Sequence, residues 1–199
     1  FATKYGFKRF LRLNIFQNIR AAGPSRHFIK SNTPTAGGIF IIFPFLILLL
    51  IININFFSIK ILLLLFASTG FFLIGFLDDY LNIKNKRNTG LKSQEKFILQ
   101  CLISMIFIFL ASSNGYINPL IIISKNLEIN TKLFIFPISL FTLVGFSNSV
   151  NLTDGLDGLA SGCSSLVFFG LGTEILLKDQ EELMIFSILC YAMSGLCLG

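Results

Sequence analysis

Charged side chains are scarce in this chain of 199 residues: Asp, Glu, Lys and Arg make up 13% of it, whereas hydrophobic residues make up 54%. The apolar residues are grouped in long blocks, and the mean hydropathy is +0.78. A helix that spans a bilayer needs about 20 mostly apolar residues, and several blocks approach that length. The shortage of charge therefore argues against a soluble globular domain and indicates a polytopic α-helical membrane protein.

Cysteine is rare too, and its spacing argues against a thiolate metal site. The four cysteines include no close pair such as C-x-x-C, and each lies in an apolar block, where we interpret it as a small buried hydrophobic residue. The sequence has no repeat of fixed period and no low-complexity linker, so we predict a single domain over residues 1–199. The chain begins without methionine and ends inside an apolar block, and we expect a fragment that lacks residues at both ends.

Five apolar blocks are long enough to be membrane spans, and a sixth begins near residue 183 and continues to the last residue. The five are residues 39–56, 59–77, 97–113, 133–150 and 156–177. The predicted fold class is therefore all-α, a polytopic integral membrane helix bundle with five spans and part of a sixth. Residues 114–132, between the third and fourth spans, have alternating stretches and turn residues, which predict a small hairpin or a surface helix.

The basic residues predict the orientation of these spans. Seven of the 16 lie in residues 1–38 and five in residues 78–96, two segments that two spans separate. The positive-inside rule makes this side cytoplasmic, so we predict a cytoplasmic basic loop over 1–38 and a cytoplasmic loop over 78–96 within the bundle of 39–199. Residues 147–160 follow the fourth span and belong to the same side. Because the basic residues flank spans, anionic lipid headgroups explain the net charge of +6 better than nucleic acid does.

The first polar segment of this cytoplasmic side is "RAAGPSRHFIKSNTPTAGG", residues 20–38. Its prolines and glycines disfavour a regular helix, its basic residues can attract phosphate, and its last glycines permit close approach by a ligand. A basic loop that only sets topology is the alternative. His27 is the one histidine of the chain, and a single loop histidine is more often structural than a ligand.

The second polar segment begins with two adjacent acids, Asp78 and Asp79. Adjacent carboxylates repel each other, which favours a bound cation or a raised pKa on one of them. Oxygen ligands at a membrane boundary suit Mg²⁺, which shares its coordination sphere with waters and substrate phosphates. Solvated acids at the end of a helix are the alternative, although acids at a helix C-terminus oppose the helix dipole.

The third polar segment, "SNSVNLTDGLDGLA", repeats amides and acids at every third position: Asn148, Asn151, Asp154 and Asp157. Residues three apart are neighbours on a helix surface, so the segment predicts a strip of polar side chains on one helix face. Polar contacts between membrane helices are the alternative. Together the three segments suggest a metal-assisted reaction on a phosphorylated substrate. A transporter is the competing class, but transporter sites usually lie near the bilayer midplane, whereas these acids lie at the ends of spans.

Four stretches of the chain resemble the bacterial phospho-N-acetylmuramoyl-pentapeptide transferase family, in the family's order and across essentially the whole chain. They are "KSNTPTAGG" (30–38), "GFLDDY" (75–80), "GLKSQEKFILQ" (90–100) and "NLTDGLDGLA" (151–160). The last stretch is the most specific. Asn32, Ala36 and Asn82 depart from the family's usual residues. A polyprenyl-phosphate N-acetylhexosamine-1-phosphate transferase, from the sister family, is the alternative within the same fold.

The resemblance implies a reaction and its surroundings. Members transfer phospho-MurNAc-pentapeptide from UDP-MurNAc-pentapeptide to undecaprenyl phosphate, forming lipid I and UMP, the first membrane step of peptidoglycan synthesis. They require Mg²⁺, act at the cytoplasmic face of the bacterial inner membrane, and contain about ten helices. A homodimer is implied as well. The family's third essential aspartate and its histidine-rich loop lie beyond residue 199, so the resemblance implies that this chain alone is inactive.

The resemblance also assigns roles to residues. The implied catalytic residues are Asp78, Asp79, Asp154 and Lys96. The implied substrate-binding residues are His27, Lys30, Thr33, Thr35, Asn148, Asn151 and Asp157. Asp78 and Asp79 are the implied Mg²⁺ ligands, together with a further ligand beyond Gly199. Asn148, Asn151 and Asp154 are the nucleotide-side residues in this scheme.

Overall fold

The computed structural model describes residues 37–85, 90–124, 127–154, 158–178 and 181–199. These ranges contain six α-helices and one β-hairpin. The helices are α1 (Ile39–Asn55), α2 (Ile59–Asn85), α3 (Ser93–Ser113), α4 (Ile135–Thr153), α5 (Leu159–Leu177) and α6 (Glu181–Leu198), and the strands β1 (Leu120–Ser124) and β2 (Leu127–Asn130) lie between α3 and α4. The prediction of an all-α polytopic membrane bundle is confirmed, with the hairpin as a small addition.

Five of the described helices, α2 to α6, are long and apolar enough to cross a membrane. The remaining one, α1, has 17 residues and contains Pro44, so its length of about 26 Å falls short of a hydrocarbon core of about 30 Å. The sequence predicts that the last span is the partial one. In the described structure α6 has 18 residues, and the helix that is shorter than a span is α1.

The helices form a ring in which each packs against the next in sequence and α6 packs back on α1. The buried apolar core lies where α1, α2 and α6 meet, and it consists of Phe45, Leu49, Ile61, Leu189 and Met193. Many large apolar side chains face outward instead, among them Phe109, Phe141 and Leu166. Outward apolar surface is expected where lipid tails rather than water cover a helix.

The segment 114–132 forms the hairpin rather than the surface helix. Strands β1 and β2 pair antiparallel, with Leu120 opposite Asn130. The base of the hairpin is tied by Thr131, whose Oγ1 donates to the carbonyl of Pro119 at 2.7 Å. A short 3₁₀ turn, Lys132–Phe134, then leads into α4.

The predicted cytoplasmic loop over residues 78–96 is wrong at both ends, because helix covers much of it. Helix α2 continues to Asn85, since residues 78–85 contain neither proline nor glycine and only their hydropathy falls. Helix α3 begins at Ser93, where the Glu95 carboxylate accepts a hydrogen bond from the Lys92 N–H at 3.0 Å. This contact satisfies a backbone donor at the helix start, as in a capping box.

Candidate active site at the ends of α2, α3 and α4

The ends of three helices meet around one ammonium group. Lys96 lies in the first turn of α3, and its Nζ is 3.1 Å from Oδ2 of Asp78, near the end of α2. The same Nζ donates to Oδ1 of Asn151, in the last turn of α4, at 3.2 Å. Consecutive spans run in opposite directions, so the end of α2, the start of α3 and the end of α4 lie on one side of the bundle. The alternation of spans thus brings together three residues separated in sequence.

The Asp78 carboxylate is fixed at both of its oxygens. Oδ2 pairs with Lys96, and Oδ1 accepts a hydrogen bond from the Leu91 N–H at 2.9 Å. The side chains of Lys96 and Asp78 are only 17% and 23% exposed, so water screens this pair less than it screens a surface pair. Charge-assisted hydrogen bonds of this kind are stronger than neutral ones, and they hold the carboxylate in one orientation.

Gly90 packs directly on Asp78 and makes this arrangement possible. A Cβ at position 90 would overlap the Asp78 carboxylate and would lie 2.6 Å from the Asp78 carbonyl oxygen and 2.9 Å from Nδ2 of Asn82. Real Cβ atoms do not approach other atoms so closely. Glycine is therefore required at position 90 by space, and it lets the backbone N–H of Leu91 reach the carboxylate.

A second polar layer lies one helical turn deeper, between α3 and α4. Gln100 is 1% exposed; its Nε2 donates to Oγ of Ser147 at 3.1 Å, and its Oε1 accepts from Nδ2 of Asn148 at 2.9 Å. Sequence reasoning did not single out Gln100 or Ser147. The signal that could have found Gln100 is its spacing, because residue i+4 from Lys96 lies on the same face of α3.

The strip predicted at every third residue of the third segment is correct only in its first half. Asn148 and Asn151 both lie on α4, but the helix ends at Thr153, and Asp154 has a non-helical backbone, with φ −76° and ψ 47°. The Asp154 side chain is exposed. The sequence "TDGLDG" explains this end, because Asp and Gly favour a helix terminus over helix interior. Helix α5 then begins at Leu159, three residues later than predicted, after Gly158 at φ +79°.

Of the other predicted site residues, one lies in the described part of the chain and five lie outside it. Asp79 follows Asp78 on α2 and is half-buried. Five predicted residues lie outside the described part of the chain: His27, Lys30, Thr33, Thr35 and Asp157. The approach of the first polar segment to the other two therefore stays a prediction.

Mg²⁺ is the metal that the family resemblance implies, and the donors beside Asp78 suit it. Among the described residues, no three His, Cys, Asp or Glu side chains are grouped closely enough to hold a metal ion. Asp78 and Asp79 nevertheless supply adjacent carboxylates, and the buried Oδ1 of Asn82 has no hydrogen-bond donor in the described structure. Mg²⁺ commonly binds one or two carboxylates together with waters and substrate phosphates. These oxygen donors therefore fit an ion that is shared with a phosphorylated substrate.

Lys96 can also contact a phosphate. An ammonium group has three N–H donors, and two hydrogen bonds from Lys96, to Asp78 and Asn151, are present. Within the described part of the chain, its third N–H has no partner and can contact an anionic oxygen. The site combines the Asp78 carboxylate, a fixed ammonium and amide groups, which is a suitable set for holding phosphate groups and a divalent cation together.

Residues 61–199 match the family model of glycosyl transferase family 4. The chain belongs to this family. All of the contacts described around Asp78, Lys96 and Gln100 lie within the matched range. The site is therefore part of the family's own domain.

Similar proteins carry the name phospho-N-acetylmuramoyl-pentapeptide-transferase. One from Prochlorococcus marinus (strain MIT 9215) is 65% identical over 199 residues, which cover 100% of this chain and 56% of the relative. One from Prochlorococcus marinus subsp. pastoris (strain CCMP1986 / NIES-2087 / MED4) is 64% identical over 197 residues, 99% of this chain and 55% of the relative. One from Listeria monocytogenes serotype 4b (strain CLIP80459) is 41% identical over 191 residues, 95% of this chain and 58% of the relative. The chain spans about half the length of the curated relatives it matches.

Proposed function

We propose that this chain is part of an enzyme that transfers phospho-N-acetylmuramoyl-pentapeptide from UDP-MurNAc-pentapeptide to undecaprenyl phosphate, with release of UMP and formation of lipid I. The observation that carries the proposal is the contact of Asp78, Lys96 and Asn151 at one end of a membrane bundle of glycosyl transferase family 4. The names of the relatives in Prochlorococcus and Listeria support the muramyl donor over other nucleotide sugars. A phosphate site at a membrane boundary suits a lipid acceptor.

The reaction exchanges one phosphoanhydride bond for another. An oxygen of the lipid phosphate forms a bond to the phosphorus that carries the sugar, and the bond from that phosphorus to the oxygen bridging to UMP breaks. A phosphate monoester has a second pKa of about 6, so the lipid phosphate is already largely ionised at neutral pH. Alignment and charge neutralisation are then more useful than proton removal. The Leu91 N–H holds the Asp78 carboxylate in one orientation. This carboxylate is therefore suited to keeping the Lys96 ammonium in place.

Mg²⁺ enters this proposal as a bound group that neutralises phosphate charge. Asp78 and Asp79 are its proposed ligands, together with a further ligand that is expected beyond Gly199 from the resemblance. Lys96 directs its remaining N–H to a phosphate oxygen, and Asn148, Asn151 and Asp154 lie on the nucleotide side. Lys30, Thr33, Thr35, His27 and Asp157 are proposed to complete the substrate site.

The proposed location is the bacterial inner membrane, with the site on the cytoplasmic face. The concentration of basic residues in 1–38 and 78–96 supports this orientation. A homodimer is proposed from family resemblance. Because the chain spans about half the length of its relatives, we expect the 199-residue chain alone to be inactive.

The test uses the full-length gene product in membranes and measures UMP release in the presence of undecaprenyl phosphate. The donors are UDP-MurNAc-pentapeptide and UDP-GlcNAc, each with Mg²⁺ and with excess EDTA. Release that requires both the muramyl donor and Mg²⁺ is the expected result. Release with UDP-GlcNAc alone would assign the protein to the sister family, and a folded protein that releases UMP from neither donor would contradict an enzymatic role.

A further inference from the structure

Gln100 is a polar side chain in a position that hydropathy would assign to an apolar residue. It is 1% exposed and lies one turn after Lys96 on α3. A buried carboxamide is costly unless both of its ends are hydrogen-bonded. Both ends are bonded here, to Ser147 and Asn148 of α4.

The main-chain carbonyl of Val144 identifies which atoms of these two amides face each other. Nδ2 of Asn148 donates to the carbonyl oxygen of Val144 at 2.9 Å and to Oε1 of Gln100 at 2.9 Å. A carbonyl can only accept, so Asn148 must present its nitrogen, and Gln100 must present its oxygen, on this side. The nitrogen of Gln100 then faces Ser147, whose hydroxyl can accept. Reversing either amide would place two acceptors or two donors together.

This arrangement decides what Asn148 can offer a ligand. Both N–H donors of its amide are used within the protein, and among the described residues Oδ1 has no donor, so it is the atom that can form a new contact. Asn148 is half-buried and lies three residues before Asn151 on α4, on the same helix face. Its oxygen can accept a hydrogen bond from an N–H or O–H group of a bound substrate.

We propose that Gln100 is a positioning residue for the nucleotide: it fixes the Asn148 amide so that Oδ1 accepts a hydrogen bond from a uridine nucleotide, and it acts only through Asn148. The inference rests on the proposed function, in which Asn148 lies on the nucleotide side. Gln100 itself does not contact the substrate. Its loss should therefore change nucleotide affinity and leave the lipid acceptor unaffected.

The experiment measures the Kd of labelled UMP by equilibrium dialysis, using the full-length protein in detergent. Gln100→Met removes both hydrogen bonds at similar side-chain length and should weaken UMP binding about 10-fold, as expected for one hydrogen bond to ligand. Gln100→Glu keeps an acceptor for Asn148 and should stay within about 3-fold of wild type, because the Ser147 hydroxyl can rotate to donate. Ser104→Ala is the matched control, since Ser104 lies one turn further along α3, is 0% exposed and has no hydrogen-bond partner in the described structure.

A double-mutant cycle with Asn148 separates positioning from general loosening of the bundle. Asn148→Ala should weaken UMP binding, and adding Gln100→Met to it should change the Kd no further. In turnover, Gln100→Met should raise the KM for the UDP donor and leave the KM for undecaprenyl phosphate unchanged. Equal UMP affinity of Gln100→Met and wild type, or a further loss in the Asn148→Ala background, overturns the proposal.

The remaining outcomes separate this inference from the proposed function. If Gln100→Met does not fold, Gln100→Leu takes its place as the variant that removes both hydrogen bonds: affinity about 10-fold weaker than wild type supports the proposal, and affinity equal to wild type overturns it. If the protein uses only UDP-GlcNAc but shows the expected UMP pattern, the muramyl assignment fails and the role of Gln100 stands. A folded wild-type protein that does not bind UMP overturns the role of Gln100.

Discussion

Asp78 and Lys96 show how a few contacts set the chemistry of a site at the scale of single residues. Each carboxylate oxygen of Asp78 has its own donor, one a backbone N–H and the other the Lys96 ammonium. Lys96 in turn bonds to Asn151 on a third helix. A change at Asp78 therefore alters the position of Lys96 as well as the charge of the site.

Asp78→Asn should lower the rate of UMP release by at least about 100-fold, a loss typical of removing a group that positions or stabilises transition-state charge. The amide oxygen can still accept from the Leu91 N–H, but the charge that holds Lys96 is gone. Initial rates in membranes, with expression checked by blotting, measure the effect. Glu182→Gln is the control, because Glu182 is 85% exposed and pairs with Lys60 at the opposite helix ends. Full activity of Asp78→Asn would show that the site is assigned wrongly.

Gly90→Ala tests the space around the same carboxylate. The added Cβ would overlap Asp78, so we expect displacement of the carboxylate, destabilisation of about 1–3 kcal/mol and loss of most UMP release. Gly75→Ala is the matched control on α2, because a Cβ there meets no atom within 4 Å. Thermal unfolding in detergent and the UMP assay measure the two effects. If Gly90→Ala matched Gly75→Ala in both, the close packing on Asp78 would be refuted.

The candidate site residues were easier to predict from the sequence than the residues that hold them in position. Asp78, Lys96 and Asn151 stand out as polar residues near the ends of apolar blocks, so they could be identified without a structure. Gln100 does not stand out by hydropathy, because one amide inside an apolar helix lowers the mean hydropathy little, and only its spacing of four residues from Lys96 points to it. Gly90 could not be identified from the sequence, since its role depends on a contact 12 residues away in sequence, with Asp78.

At the scale of elements, the apolar blocks predicted which helices exist but not where they end. Hydropathy changes at Leu77, whereas α2 ends at Asn85, because a helix ends where its backbone hydrogen bonds end and not where lipid does. The end of α4 at Thr153 was not predicted either, because the spacing of the polar residues suggested a helix that continues past this point. The helix ends there because Asp and Gly, which follow Thr153, disfavour the interior of a helix.

Among the described helices, α5 and α6 pack most extensively against each other, and small residues permit it. Oγ of Ser194 bonds to Oγ and the carbonyl of Ser165, both at 2.9 Å, and Oγ of Ser187 donates to the Gly172 carbonyl at 2.7 Å. A Cβ at Gly172 would lie 3.2 Å from Cβ of Cys190. Small residues and interhelical hydrogen bonds are the usual means of association in membranes.

Gly172→Val should separate this pair and lower the free energy of unfolding by about 1–3 kcal/mol. Gly170→Val is the matched control, since it places the same β-branched residue two positions earlier in α5, where a Cβ meets no atom within 4 Å. The difference between the two variants removes the shared cost of valine in a helix. Thermal unfolding of both in the same detergent gives the comparison, and equal stability would contradict the packing.

At the scale of the whole molecule, the ring of helices has two ends with different chemistry. One end holds Asp78, Lys96 and Asn151, and the other holds the β-hairpin and the Lys60–Glu182 pair. The distribution of basic residues predicts that the first end faces the cytoplasm. The fold class could be predicted from composition, whereas the closing of the ring, with α6 against α1, depends on side-chain packing that no sequence pattern indicated.

Cysteine labelling at the two ends of α3 tests the orientation. Ser93 and Ser113 are both exposed and lie at opposite ends of this helix. We expect an impermeant maleimide to label Ser93→Cys only in inverted vesicles and Ser113→Cys only in right-side-out spheroplasts, with the unaltered chain giving the background from native cysteines. The reverse pattern would place the site on the outer face.

The length of α2 has a consequence for the membrane in which the protein works. Its 27 residues measure about 40 Å, roughly 10 Å more than a hydrocarbon core of about 30 Å. If Ile59 lies at one boundary of the core, a span of about 20 residues ends at Asp78 and Asp79, at the other boundary, where the headgroup region begins. The length of the helix thus determines the depth of the carboxylates and brings them to the boundary with the headgroups. In a thicker bilayer the carboxylates would lie below the headgroups unless the helix tilted less. The length of the lipid acyl chains therefore affects the distance between these carboxylates and the headgroups.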